Sequence, residues 1–379
     1  MTQLFRLAIA AIVAVMASAP MCAGAVETAA KYAYLVDMRT GAVLMEKNAA
    51  EPMAPASMTK LMTVYLIFER LKDGRLKLDT ELPVTEEAWR TGGSKSFVSI
   101  GGKVRVEDLI RGIIVQSGND ACIVAAQGIA GSEGAFAVEM NKKAKELGLT
   151  GSNFRNSTGW PDPEHLSTAR DLALLAKRTI QDFPEFYKYY AETEFAFGGI
   201  RQANRNPLLY KNLGADGLKT GHTEASGYGL TASAVRGDRR LILVVNGLGS
   251  DKERGDESAR LLEWGFTEFD NYAFFKAGET VEAAEVWQGR AASVPLAVER
   301  DVLATLPKAA RDKLRVTVQY AGPIPAPIAK GQKIAILVLD APGVGKIEVP
   351  LLAGADVERK GFFGRLGSSA RQLFGGNAN

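Results

Sequence analysis

The chain has 379 residues, enough for one large domain and a smaller one, and its 46% hydrophobic and 23% charged residues are typical of a folded globular protein. A net charge of +3 and the lack of RNA- and DNA-binding sequence motifs argue against nucleic acid as a partner. With two histidines and two cysteines we expect no zinc site, and we expect no other cofactor.

The first 25 residues are predicted to be a secretory signal peptide. Arg6 supplies a positive charge, residues 7–17 form a short apolar run, and small residues at 23–25 fit a cleavage site. The apolar run is shorter than the ~20 residues that a membrane-spanning helix needs, so an uncleaved anchor is the weaker alternative. We therefore expect an exported, periplasmic protein.

The cysteine content agrees with a protein that is held together by its core. Cleavage of the signal peptide would remove Cys22 and leave Cys122 alone, so no internal disulfide is expected. The neighbours of Cys122 are small and apolar, which favours a buried structural cysteine over a nucleophile.

The sequence up to about residue 270 predicts an α/β (α+β) domain, which we place at residues 28–272. Its predicted elements are, in chain order, a β-hairpin at 32–46, a helix after Ser57, a helical stretch at 104–131 broken by Ser-Gly-Asn, helices at 132–147 and 167–180, strands at 218–222, 229–236 and 239–248, and a short helix at 258–266. Ser132 is the expected N-cap of its helix, and Gly237-Asp238 is the expected two-residue hairpin turn.

From residue 278 onward the residue pattern of the sequence changes. Short β-rich runs are broken by prolines, and helical periodicity is nearly absent, so residues 278–352 predict a small all-β domain. This segment carries no His, Cys or acidic residues at the spacing of a site. A spacer or docking module is the preferred interpretation.

The tail, residues 356–379, has an amphipathic pattern. Phe362, Phe363 and three further large apolar residues fall on one helical stripe, and arginines and lysines surround them. This pattern predicts a helix that attaches the protein peripherally to the outer face of the cytoplasmic membrane. The five glycines of the tail leave a disordered segment as the alternative.

Ser57 and Lys60 form the first candidate pair of reactive residues. Residues i and i+3 share one face of a helix, so the two side chains point the same way. Burial and nearby cations can lower the pKa of a lysine until its amine accepts the proton of a serine. The pattern Ser-x-x-Lys is common by chance, so it carries little weight alone.

Ser117, Gly118 and Asn119 interrupt a helical stretch and form the second candidate motif. A hydroxyl and an amide two residues apart can project into a cleft where glycine breaks a helix. Ser117 can then relay a proton, and Asn119 can orient a substrate amide. A plain turn between two helices is the alternative, because all three are turn residues.

Lys219, Thr220 and Gly221 lie on a predicted strand that is bordered by glycines. A strand edge with a cation, a hydroxyl and a residue without a side chain suits an extended peptide that pairs with the strand and ends in a carboxylate. A phosphate-binding loop is the alternative, but Leu218 separates Gly217 from Lys219 and no helix follows.

In this order the three motifs resemble those of the penicillin-binding protein and serine β-lactamase superfamily. The variant SGNDAC at 117–122, together with matching segments at 156–173, 216–234 and 257–266, resembles the low-molecular-mass D-alanyl-D-alanine carboxypeptidases, peptidase family S11. The resemblance covers about residues 30–355. It implies a penicillin-binding-protein-like transpeptidase fold, with helices on both sides of an antiparallel sheet and a small C-terminal all-β domain.

The resemblance also implies a chemical role for the reactive residues. Ser57 would be the acylated nucleophile and Lys60 the proton acceptor for acylation. Ser117, with Lys219, would complete the proton path. The implied partners are the peptidoglycan stem peptide and, as acylating inhibitors, the β-lactam antibiotics.

Six residues are implied in substrate binding: Asn119, Lys219, Thr220, Gly221, His222 and Arg254. Asn119 would hold the substrate amide, and Thr220 with Arg254 would bind the terminal carboxylate. The backbone N–H groups of Ser57 and His222 would form the oxyanion hole.

Three other functions fit parts of the sequence. A Ser-His-Asp hydrolase would have to use His165 or His222, and the chain has no G-x-S-x-G motif. A β-lactamase shares the fold, but the added β domain and tail argue against it, and nothing marks Glu86 or Glu87 as the activator of a hydrolytic water. A non-catalytic cell-wall scaffold is disfavoured because every reactive position is filled.

Overall fold

The computed structural model describes residues 26–362. The predicted signal peptide and residues 363–379 of the predicted tail lie outside the described residues. The strands of the first part of the chain are β1 (Tyr32–Asp37), β2 (Val43–Lys47), β3 (Glu81–Pro83), β4 (Lys103–Arg105), β5 (Glu194–Phe197), β6 (Ile200–Ala203), β7 (Ala215–Thr223), β8 (Gly227–Arg236) and β9 (Arg239–Leu248). The helices are α1 (Lys60–Lys72), α2 (Glu86–Arg90), α3 (Val106–Ile114), α4 (Asn119–Ala130), α5 (Glu133–Leu147), α6 (Ala169–Asp182) and α7 (Asp251–Glu268).

One five-stranded antiparallel sheet, in the order β2-β1-β9-β8-β7, forms the centre of this part. Side chains alternate between its two faces because the period of a strand is two. On β1, Tyr34 and Val36 pack into the core with α1 and α3 to α6, whereas Leu35 packs into a second core with α7. The predicted antiparallel sheet with helices on both sides is therefore confirmed.

Most predicted elements appear, with shifts at their ends. α5 begins after Ser132, whose Oγ accepts the N–H of Ala135 at 3.1 Å, as predicted. α7 is longer than the predicted 258–266 and begins after its N-cap, Ser250. Its first two turns are polar, so no apolar pattern marked them. The sequence did not predict the short strand pair β3–β4, the helix α2 that lies between these strands, or the hairpin β5–β6.

The second part of the chain is built of strands, as predicted. They are β10 (Phe269–Phe275), β11 (Thr280–Trp287), β12 (Ser293–Val298), β13 (Val302–Pro307), β14 (Arg315–Gln319), β15 (Ile324–Pro325), β16 (Lys333–Ala341) and β17 (Gly345–Ala353). Six of them form a sheet in the order β14-β16-β17-β12-β11-β15, and β10 pairs with β13. The predicted domain limits at residues 272, 278 and 352 stay predictions.

A buried polar cluster joins the two parts of the chain. Asp37 at the end of β1 accepts hydrogen bonds from Arg239 Nε at 2.8 Å and from Asn271 Nδ2 at 3.1 Å. Arg239 Nη1 also donates to the carbonyl of Phe269 at 2.6 Å. Thr305 of β13 donates to Asn271 Oδ1 at 2.6 Å. We name these residues the junction cluster.

Between residues 26 and 362, no single helix has both the length and the apolar character to cross a bilayer. Taken together, α4 and α5 are long and apolar enough to do so, but the two helices meet at a bend of 82°.

Candidate active site

Ser57 and Lys60 face each other at the start of α1. Ser57 lies in a 3-10 turn, Ala56–Thr59, and the α-helix begins at Lys60, so the serine precedes the α-helix on which the sequence placed it. In a 3-10 turn, side chains at i and i+3 lie one above the other. Lys60 Nζ therefore lies 2.8 Å from Ser57 Oγ.

Lys60 is fully buried, and its two hydrogen-bond partners carry no charge. Besides Ser57 Oγ, the partner of Nζ is the carbonyl oxygen of Thr158 at 2.7 Å. Burial lowers the pKa of the Lys60 ammonium to about 8, although the nearby Cys122 thiol opposes the shift. An amine with this pKa can accept the proton of the hydroxyl that it contacts.

The loop that supplies the Thr158 carbonyl is fastened by a histidine. His165 Nδ1 accepts the backbone N–H of Arg155 at 3.1 Å, so Nε2 carries the proton and donates to Thr59 Oγ1 at 2.8 Å. Burial lowers the pKa of His165 to about 4, which keeps the ring neutral. His165 thus bonds to the neighbour of Lys60, and Ser57 is not among its partners.

Ser117 lies at the predicted break between α3 and α4. Its backbone φ is +60°, and its side chain is buried. Within residues 26–362, no hydrogen bond connects Ser117 Oγ with Lys60 or Lys219. The structure therefore places Ser117 at the break without closing the predicted path of hydrogen bonds.

Asn119 and Asp120 bind the loop that follows α2. Asn119 Nδ2 donates to the carbonyl of Gly92 at 2.9 Å, and its backbone N–H donates to the carbonyl of Ser94 at 2.7 Å. Asp120 accepts the backbone N–H groups of Ser96, Val98 and Ala121. These bonds fix the loop beside Asn119 and orient the Asn119 amide; we name the region bounded by this loop, the Ser57 turn and residues 215–223 the groove.

Strand β7 forms the opposite wall. It is the edge strand of the sheet, so its outer row of backbone groups is not paired with β8. Gly221 lies against the turn that carries Ser57: a Cβ at this position would be 2.8 Å from the carbonyl oxygen of Pro55 and 3.3 Å from Ala56 Cβ. Only glycine lets the strand and the turn come this close.

Lys219 of β7 is also buried, and its Nζ donates to the carbonyl of Thr220 at 3.2 Å. Burial holds its pKa well below the usual value, and the cations Lys60 and Arg205 lower it further. The charge of Lys60 thus disfavours a charge on Lys219. At least one of them is readily neutralised.

Arg254 and His222 meet on the ring of Tyr228. The guanidinium of Arg254 lies 5.7 Å from the ring centroid, and the His222 ring stacks on it with centroids 3.9 Å apart. Arg254 is buried and is bonded to Asp251, and burial lowers its pKa. Among the described residues, its Nε has no partner.

Three neighbours of this groove were not identified from the sequence. Thr158 acts through its carbonyl, which every residue type has, so no sequence signal exists for it. Arg205 lies in an unremarkable polar run; its Nη1 donates to Ser94 Oγ at 2.6 Å. It is solvent-exposed, yet surrounding atoms lower its pKa by desolvation, and it acts electrostatically on both lysines. Trp160 is the third.

Comparisons with known proteins identify relatives of this chain. The family described as D-alanyl-D-alanine carboxypeptidase matches residues 15–250, and the penicillin-binding protein 5 C-terminal domain matches residues 269–359. The chain is 42% identical to the D-alanyl-D-alanine carboxypeptidase DacC of Escherichia coli over 88% of this chain and 85% of that protein. It is similar to the crystal structure of Haemophilus influenzae penicillin binding protein 5, with a TM-score of 0.79, 37% identity, and 88% and 99% of the two chains covered. A more distant structure is the ampicillin-bound form of Listeria monocytogenes penicillin-binding protein D2, with a TM-score of 0.59, 30% identity, and 64% and 99% covered.

Proposed function

Because the chain belongs to the D-alanyl-D-alanine carboxypeptidase family, peptidase family S11, we propose that it removes the terminal D-alanine from peptidoglycan stem pentapeptides through an acyl-enzyme on Ser57. The observation that carries this proposal is the 2.8 Å contact between Ser57 Oγ and the buried amine of Lys60, whose pKa burial lowers to about 8. This pair supplies both a nucleophile and the base that activates it.

The proposed acylation begins with neutral Lys60. Its amine accepts the Ser57 proton, and Oγ attacks the carbonyl carbon of the penultimate D-alanine. The backbone N–H groups of Ser57 and His222 stabilise the resulting oxyanion. The C–N bond then breaks, a proton passes to the departing amine of the terminal D-alanine, and an ester with Ser57 remains. Ser117 and Lys219 serve this second proton transfer.

Hydrolysis completes the proposed cycle. A water molecule attacks the ester, a proton returns to Ser57 Oγ, and the shortened peptide leaves. The substrate lies extended along the free edge of β7, as main-chain pairing with an edge strand permits. Its carboxylate ends near Thr220 and Arg254, where the buried guanidinium of Arg254 favours a negative charge.

The same nucleophile makes β-lactams the second proposed ligand class. The name penicillin-binding protein and the ampicillin-bound relative support this proposal. We expect incubation with penicillin to add one mass of the drug to the protein, and fragment mass spectrometry to locate it on Ser57.

Release of D-alanine from a peptide that ends in D-Ala-D-Ala is the direct test, with Ser57→Ala as the inactive control. Rapid turnover of penicillin without a trapped adduct would favour a β-lactamase. Wild-type protein that is folded but releases no D-alanine would favour a scaffold.

We further propose that the protein is exported and that its C-terminal segment attaches it to the outer face of the cytoplasmic membrane. The amphipathic stripe of residues 356–379 supports this, and Phe362, at the last described position, is exposed. Deletion of 363–379 leaves Val357 and Arg359 paired with the β domain. The shortened protein should no longer sediment with anionic vesicles and should keep its peptidase activity; continued sedimentation would refute the attachment.

A further inference from the structure

Trp160 is a large apolar side chain that the fold leaves half in water. Its relative exposure is 52%. Its backbone is nevertheless fixed, because its N–H donates to Asn156 Oδ1 and to Thr158 Oγ1, both at 3.0 Å. Its carbonyl accepts Asn156 Nδ2, also at 3.0 Å. An exposed indole on an anchored backbone is suited to binding rather than to the core.

The indole lies beside the groove, next to Asn119. A Cβ at Gly93 would be 3.0 Å from Trp160 Cζ3 and 2.8 Å from Asn119 Nδ2, so both side chains flank the same glycine. A Cβ at Gly92 would be 3.5 Å from Trp160 Cη2. The indole therefore packs against the backbone of the two glycines, and the exposed half of its surface is what a substrate side chain can contact.

Trp160 also follows the lysine contact closely along the chain. It lies two residues after Thr158, whose carbonyl accepts Lys60 Nζ at 2.7 Å. The position of the indole is therefore tied to the base of the proposed reaction on one side and to Asn119 on the other.

We propose that the Trp160 indole forms the subsite for the side chain of the residue that precedes D-Ala-D-Ala, and that it selects a long aliphatic side chain there. The proposal rests on the proposed function, in which Ser57 attacks the penultimate residue and Asn119 holds the amide before it. The next residue of an extended substrate lies about 3.5 Å further along, which brings its side chain toward the indole.

The chemistry of an indole fits this occupant. Its face packs against methylene groups, while a polar group at the end of a long side chain can stay in water. A diamino acid provides such a side chain, whereas glycine offers no atoms for the contact. The subsite is thus a source of selectivity for stem peptides that carry a diamino acid at this position.

Two peptides of the form Xaa-D-Ala-D-Ala test the proposal, one with Nε-acetyl-lysine and one with glycine as Xaa. Trp160→Ala should lower kcat/KM for the lysine peptide about tenfold and for the glycine peptide less than about twofold. Trp160→Phe should restore most of the difference, because a phenyl ring keeps an apolar face.

Trp89→Ala is the matched control. Trp89 is another exposed tryptophan beside the same loop, within cation–π distance of Lys95, and it is not among the nearest neighbours of a Cβ placed at Gly92 or Gly93. Its truncation should leave the ratio of the two kcat/KM values unchanged. Equal losses on both peptides in Trp160→Ala, or no loss on either, would overturn the subsite.

A binding measurement separates this inference from the proposed function. In the Ser57→Ala background, the dissociation constant of the lysine peptide should rise about tenfold when Trp160→Ala is added, and that of the glycine peptide should not. If wild-type protein released no D-alanine but this difference were found, the proposed function would fail and the subsite would stand. If neither dissociation constant changed, the subsite would fail.

Discussion

The junction cluster and the groove both bury cations, but only the cation of the junction cluster is paired with a carboxylate. At the junction, Arg239 lies 2.8 Å from the carboxylate of the fully buried Asp37 and also donates to backbone carbonyls. In the groove, Lys60 and Lys219 have only uncharged hydrogen-bond partners, and the charge of Lys60 helps to lower the pKa of Lys219.

This difference distinguishes a cation that serves the fold from one that serves a reaction. A paired buried charge keeps its partner compensated, and its loss leaves an isolated charge in the core. Among the described residues Lys60 has no hydrogen-bonded carboxylate, and Asp120 and Glu133 offset its burial only in part; the drop of its pKa to about 8 corresponds to a cost of about 3 kcal/mol in the stability of its charged form. A position that costs stability is maintained because its chemistry is needed.

Replacing the uncompensated cation should therefore remove activity and leave the fold intact. Lys60→Met keeps an apolar chain of similar length and deletes the amine. We expect kcat/KM for a D-Ala-D-Ala peptide to fall at least 1,000-fold, on the order of what loss of a nucleophile's base costs. The midpoint of urea unfolding should stay the same or rise. A loss of stability above ~1 kcal/mol would show that Lys60 supports the fold.

The paired cation should behave in the reverse manner. Arg239→Met leaves Asp37 buried without a cation, and we expect the free energy of unfolding to fall by about 3–5 kcal/mol. The folded fraction should retain its kcat. The double variant Asp37→Leu/Arg239→Met is the control: it removes both charges and should recover a large part of the loss. A double variant as unstable as the single one would refute the isolated-charge explanation.

Gly221 tests the wall of the groove rather than its charges. Gly221→Ala puts a methyl group 2.8 Å from the Pro55 carbonyl and should push β7 away from the Ser57 turn. We expect kcat/KM to fall about 10- to 100-fold, because misplacement by about 1 Å has effects of this size. Gly134→Ala on α5, where no atom lies within 4 Å of the new methyl group, is the control and should leave activity unchanged. Equal activity of the two variants would contradict the close approach.

Much of the fold could be predicted because its signals are local. The two-residue turn between β8 and β9 and the period-two alternation on β1 follow from neighbouring residues. The first turns of α7 were missed because they are polar, and no apolar periodicity marks them. The strand pair β3–β4 and the hairpin β5–β6 have few strand residues, so pattern alone cannot identify them.

The candidate site also contains some residues that the sequence pattern predicts and others that it does not. The spacing of Ser57 and Lys60 predicted their shared face, and a motif order carried the rest. The Thr158 carbonyl, the cation of Arg205 and the indole of Trp160 reach the groove through tertiary packing of separate loops. No spacing rule connects them with Ser57, so only coordinates could reveal them.

The pH dependence of kcat/KM tests whether Lys60, unlike the paired Arg239, loses its proton near neutral pH. Burial places the pKa of Lys60 at about 8 in the folded state, below its ordinary value of 10.5. Its neutral form decreases as the pH falls, so kcat/KM should drop about tenfold per pH unit below about 8. Because Lys219 is coupled to it, the measured pKa belongs to the pair. Measurement of kcat/KM from about pH 5 to about pH 9 checks this, because the range includes both the decrease below about pH 8 and the plateau above it.

The lowered pKa of Lys60 also makes the free energy of unfolding depend on pH. Between about pH 8 and 10.5 the unfolded chain binds more protons at this site than the folded one, so the contribution of Lys60 to the free energy of unfolding rises with pH across that window. Below about pH 8 both states are protonated, and the full cost of burial remains. Because burial also lowers the pKa of Lys219, Lys60→Met should reduce this rise without abolishing it, whereas Arg239→Met should leave it in place. An unchanged slope in Lys60→Met would mean that the buried amine does not titrate in this window, and the base assigned to acylation would have to be Lys219.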